Sequence, residues 1–140
     1  FVSKPSNMRK FVIGPFVRRC CFLPIDRENA RNALTTINAA ANLIRAHVCS
    51  FAIYPEGTRS KSSKLLPWHA GSLKIAQKAG VPIVVGTVEG TERIARNVPW
   101  RRSHVYVRIR EVIPAATVKA ATTSALTEDI CGKMRAALGK

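Results

Sequence analysis

Within the six residues Tyr54-Pro55-Glu56-Gly57-Thr58-Arg59 the chain gathers a carboxylate, a glycine, a hydroxyl and a guanidinium. Gly57 permits backbone conformations and a closeness of approach that a Cβ would forbid, and Thr58 sets a hydroxyl beside backbone N–H groups. Arg59 brings a planar fork suited to phosphate, each charge-assisted hydrogen bond contributing on the order of 1.5 to 3 kcal/mol when shielded from water. Glu56 is suited to orienting that guanidinium or to accepting from a substrate. The chemistry on offer is anion recognition at the end of a strand, where open α/β sheets place their ligands. A plain turn with Glu56 and Arg59 facing solvent would use the same residues.

The elements that must position this segment follow from hydrophobic spacing. Val48 to Tyr54 is an apolar run of strand length, which predicts a strand covered on both faces. Upstream, Phe1 to Ser3 suits an edge strand that Lys4, Pro5, Ser6 and Asn7 break, and Phe22 to Ile25 suits a short strand interrupted by Pro24. Met8 to Val17 is apolar and flanked by Arg18 and Arg19, fitting a short core helix, a membrane-surface segment or the roof of an apolar tunnel. A helix is predicted from about Glu28 to Ala46, capped by Asp26, with Ala30, Ala33, Leu34, Ile37, Ala41 and Ile44 at three- and four-residue steps. A second helix runs from about Ala70 to Ala79 and closes on Gly80. Pro82 to Val88 reads as another buried strand, and His104 to Val112 alternates, with Val105, Val107 and Ile109 on one face and Tyr106, Arg108 and Arg110 on the other. The last helix, about Ser124 to Leu138, aligns Leu126, Ile130, Met134 and Leu138.

Strands alternating with helices predict one α/β domain over residues 1–140. The expected form is a layered sandwich, a mostly parallel or mixed central sheet flanked by helices and truncated at its N-terminal side.

The charge balance, 23 Lys+Arg against 8 Asp+Glu and a net +15, calls for an anionic partner: nucleic acid, a membrane surface or a phosphate-bearing substrate. An apolar content of 46% argues against disorder. No apolar stretch has the length of a membrane span, and the first residues do not form a signal peptide. Cys20, Cys21, Cys49 and Cys131 have neither CxxC nor metal-ligand spacing, and are expected to be reduced, mostly buried apolar residues of an intracellular protein.

The hexapeptide Tyr54–Arg59 resembles the phosphate-binding segment of the glycerolipid acyltransferases, and among these the lysophosphatidic acid acyltransferases most. Further segments fall in that family's order. Phe1-Val2-Ser3-Lys4 resembles the strand and lysine just past the catalytic motif, and Phe22 to Arg27 the segment ending Ile-Asp-Arg. Leu66-Pro67-Trp68-His69-Ala70-Gly71 is similar to the stretch entering the second helix, and Val81-Pro82-Ile83-Val84 to the valine-proline segment after it.

The resemblance implies that Lys4 and Arg59 bind the acceptor phosphate, that Arg27 supports the acceptor end, and that Glu56, Gly57 and Thr58 shape the site around the glycerol. It implies transfer of a fatty acyl group from acyl-CoA or acyl carrier protein to 1-acyl-glycerol-3-phosphate, by direct attack, with no metal or cofactor. It also implies peripheral attachment to the cytoplasmic face of a membrane.

The sequence departs from the family at Cys21, Pro24 and Val85, which bear on acceptor choice. The family's His-x4-Asp pair, in which the histidine is the general base, is not found: five residues after His47, His69 and His104 stand Ala52, Lys74 and Ile109. A positioned base is worth roughly 100- to 10,000-fold in rate, so no catalytic residue is assigned and the chain by itself is expected to be inactive. Truncation upstream of Lys4 accounts for the gap. Glycerol-3-phosphate acylation is the nearest enzymatic alternative, and a catalytically dead lipid-phosphate binder another. A basic nucleic-acid-binding protein, drawing on Arg101, Arg102, Arg108 and Arg110, is the alternative of another class. The low aromatic content and lack of RNA or DNA signatures speak against it.

Overall fold

The computed structural model describes residues 1–3, 5–8, 11, 13–20, 22–25, 29–58 and 65–138. In chain order these form β1 (Val2–Ser3), α1 (Pro5–Met8), α2 (Ile13–Arg19), β2 (Leu23–Pro24) and α3 (Ala30–Arg45). A 3₁₀ turn over Ala70–Leu73 leads into α4 (Lys74–Ala79). Then come β3 (Ile83–Glu89), a 3₁₀ turn at Thr91–Arg93, α5 (Ile94–Asn97), β4 (Tyr106–Ile113), α6 (Ala115–Ala120) and α7 (Thr123–Leu138).

Helix α3 starts later than its apolar spacing alone predicts. Its N-cap is Asn29, whose side-chain oxygen accepts from the Arg31 and Asn32 amides at 3.1 and 3.2 Å. Asp26, the expected cap, lies outside the described residues, as does Glu28. At the other end His47, at φ +56°, stands where glycine is usual. Its amide donates to the Ile44 carbonyl and that of Val48 to Leu43, both at 3.0 Å, the paired bonds that close a helix through a left-handed residue.

The described strands form two separate pairs. β1 and β2 are parallel, Val2 opposite Leu23 and Ser3 opposite Pro24. β3 and β4 are antiparallel, with a register shift between Val85 and Gly86 that leaves Arg110 as the extra residue on β4. Beyond that bulge the alternation changes parity. Ile113 turns inward, and Val112 joins Val107 and Ile109 outside.

Two cores result. In the first, Val85, Ile113, Val118, Leu126, Ile130 and Met134 join one face of β3–β4 to α6 and α7. In the second, Ile37, Ala40 and Ile75 join α3 to α4. Helix α4 serves both, because Ala76 packs on the first core while Ile75 sits in the second. Gln77 ties it further, donating to the Ala121 carbonyl at 2.7 Å and accepting from the Thr123 hydroxyl at 3.0 Å.

Three expectations are corrected. The Pro82–Val88 strand is buried on one face only: Val85 and Thr87 point inward, whereas Val84 and Val88 are exposed because nothing described covers that side. Val48 to Tyr54 is not laddered into a strand and pairs with none of the described strands, although its burial alternates with strand period: Cys49, Phe51 and Ile53 are half-buried and Val48, Ser50, Ala52 and Tyr54 exposed. The cysteines are not mostly buried. Cys131 is, Cys49 is intermediate, Cys20 is exposed, and Cys21 lies outside the described residues.

Candidate functional site

The phosphate-type segment opens as a tight turn. The Gly57 amide donates to the Tyr54 carbonyl at 3.0 Å, with Pro55 and Glu56 at the corners. Pro55 presets the first corner, and Gly57 takes φ +68°, which a side chain disfavours.

Two hydrogen bonds then join the turn to the segment that begins at Leu65. The Leu66 amide donates to Glu56 Oε2 at 3.1 Å, and the His69 amide to the Pro55 carbonyl at 3.0 Å. Each limb is anchored separately: Phe51 and Ile53 pack on the α3–α4 core, while Leu65 and Trp68 pack on the β3–β4–α6–α7 core. The described residues on either side, up to Thr58 and from Leu65, are thus held by the two cores, and Thr58 is exposed.

The Glu56 carboxylate is therefore engaged by a backbone amide ten residues on. Spacing had offered it Arg59 or a substrate. Leu66 and His69 enter the site through their backbones, a role that no side-chain type announces.

Arg59, Lys4 and Arg27 lie outside the described residues. The segments preceding them do not. Because β1 and β2 are parallel, the chain leaves Ser3 and Pro24 toward the same end. Phe1 stacks on Phe22 with ring centroids 5.0 Å apart, and the Thr36 hydroxyl donates to the Pro24 carbonyl at 2.8 Å, fastening β2 to α3. Leu23 packs on the same α3–α4 cluster as Phe51 and Ile53.

The histidine side chains are all exposed. His47 closes α3 and His69 ties the turn, while the His104 carbonyl lies against Gly90.

Arg108 pairs with Glu89 at 2.6 Å, and Arg110 donates to the Thr87 hydroxyl at 3.3 Å. On α7, Lys133 bridges Asp129 and Glu111, each at 2.9 Å, and those hydrogen bonds raise its pKa above the ordinary lysine value. Among the described residues no group of three or more His, Cys, Asp or Glu side chains is placed to hold a metal ion, and no helix is long and apolar enough to cross a membrane.

Against this geometry the comparisons with known proteins are direct. The Acyltransferase family profile matches residues 1–89, and the chain belongs to that family. It is 37% identical over 84 residues to the 1-acyl-sn-glycerol-3-phosphate acyltransferase of Cocos nucifera, covering 60% of this chain and 26% of the relative. It is 36% identical over 96 residues to that of Salmonella typhimurium, covering 69% and 38%. With the Limnanthes douglasii enzyme of the same name it shares 31% over 116 residues, covering 83% and 41%. The chain thus spans about a quarter to two fifths of the length of these curated relatives. No solved structure gives a significant match.

Proposed function

We propose that the whole protein transfers a fatty acyl group from acyl-CoA or acyl carrier protein to 1-acyl-glycerol-3-phosphate, yielding phosphatidic acid, and that this chain supplies the acceptor-binding part. The observation that carries the reading is the closed turn at Tyr54–Gly57. Its base is pinned by the Leu66 and His69 amides, so Thr58 follows from a fixed point. A phosphate there meets Arg59, with Lys4 and Arg27 following the parallel ends of β1 and β2; converging cations on a dianion account for part of the basic excess. The proton transfer belongs to a His-Asp pair that this chain's own histidines do not form. Attachment is peripheral, on the cytoplasmic face of a membrane. There the acceptor's acyl chain resides, and Lys and Arg near an anionic leaflet contribute about 1 kcal/mol each.

Calorimetric titration with short-chain lysophosphatidate tests acceptor binding. Arg59→Ala is expected to weaken it roughly tenfold to a hundredfold, the loss of one shielded charge-assisted contact. Unchanged affinity in Arg59→Ala and Lys4→Ala overturns the reading. Equal affinity for glycerol 3-phosphate shifts it to the glycerol-3-phosphate acyltransferases.

A further inference from the structure

Between β3 and β4 the chain runs through Gly90–Val105, a connection that contributes nothing to either core cluster and follows the span matched by the family profile. It is nevertheless a built element. Gly90 takes φ +89° with the His104 carbonyl pressed so close that any Cβ would collide with it, which closes the base. Asn97 sets the far side: its side-chain amide donates to the Arg102 carbonyl at 3.1 Å and the Ser103 hydroxyl at 2.9 Å, while its own carbonyl accepts from the Arg101 amide at 2.6 Å.

What this element presents is unusual for a solvated loop. Arg93, Arg96, Trp100 and Arg101 line an open hollow of about 690 Å³. Trp100 is 89% exposed and Val98 62%. Glu92 answers Arg93 at 3.7 Å, but among the described residues Arg96, Arg101 and Arg102 have no ion pair. Four arginines around a bare indole and a bare valine match a surface that is anionic outside and apolar beneath. An indole is at home at a headgroup boundary, and arginine forks fit phosphates. A single-stranded nucleic acid would ask for successive aromatic platforms, and the tip has one.

We infer that the β3–β4 connection docks the protein on an anionic bilayer, Trp100 and Val98 entering the headgroup boundary while Arg93, Arg96, Arg101 and Arg102 pair with lipid phosphates. The inference rests on the peripheral-membrane reading and names the surface that makes the contact.

The test uses the full chain carrying Trp68→Phe, which leaves Trp100 as the sole indole of the two in the sequence. Vesicles of phosphatidylcholine with about one third phosphatidylglycerol are expected to shift Trp100 emission to the blue and to bind the chain, pure phosphatidylcholine far less. Arg101→Gln with Arg102→Gln is expected to lower partitioning about thirtyfold, and Trp100→Ala roughly tenfold, with circular dichroism unchanged. Binding that persists in these variants, with the Trp100 emission of the Trp68→Phe parent unmoved by vesicles, and that is lost in Phe11→Ser with Phe16→Ser, overturns the inference while peripheral attachment stands. No binding to anionic vesicles overturns both. Tighter, equally arginine-dependent binding to an oligonucleotide also overturns it.

Discussion

Glu56 carries an ionised group into a turn where its described partner is the Leu66 amide. If its work is to pin the loop, the charge is dispensable and the acceptor oxygen is not. Glu56→Gln keeps an oxygen at that place, so its affinity for short-chain lysophosphatidate is expected to stay within about twofold of the parent. Glu56→Ala leaves the Leu66 N–H unanswered at a half-buried position, at a cost of about 1 to 3 kcal/mol shared between loop order and fold. Calorimetry and thermal unfolding on the two variants separate this from direct substrate contact, in which the glutamine variant binds as poorly as the alanine one. The turn was legible in the sequence because proline and glycine act through their own backbones, at Pro55 and Gly57. The partner of Glu56 was not, since a backbone amide ten residues away carries no signature of its residue type.

Helix α3 shows the same division at the scale of an element. Its apolar steps at Ile37, Ala41 and Ile44 were readable, and its ends were less so, because capping depends on which short polar side chain reaches the free amides. Asn29 does so, and Asn29→Ala is expected to lower the unfolding free energy by about 1 kcal/mol in urea titration. His47 offers the opposite case. It holds a left-handed conformation within the pair of bonds that closes the helix, so His47→Gly relieves backbone strain while adding unfolded-state entropy. The net expectation is a gain of about 0.5 to 1 kcal/mol, seen as a rise of a few degrees in Tm by calorimetry. On β4 the alternation was legible up to Ile109. The bulge at Arg110, which sends Val112 outward and Ile113 into the core, depends on pairing with β3 and not on β4 alone.

For the whole molecule, two features ask for a layer beyond the described residues. Val48 to Tyr54 alternates in burial like a strand without a ladder partner, and the outer face of β3–β4 leaves Val84, Val88, Val107, Ile109 and Val112 between 39% and 70% exposed. We propose that the layered α/β sandwich is the architecture of the whole protein, with this face interior to it. Local periodicity shows that a strand wants burial on a face; it does not say which segment supplies the cover. The double variant Val107→Thr with Ile109→Thr distinguishes the two situations. In the 140-residue chain, where both side chains are 70% exposed, it is expected to change the unfolding free energy by no more than about 0.5 kcal/mol and to improve solubility. In a longer polypeptide that covers the face, each hydroxyl loses water without gaining a partner, and the same pair of changes is expected to cost roughly 2 to 5 kcal/mol. Equal, small effects in both would leave the face solvated in the whole protein and remove the reason to place a layer over it.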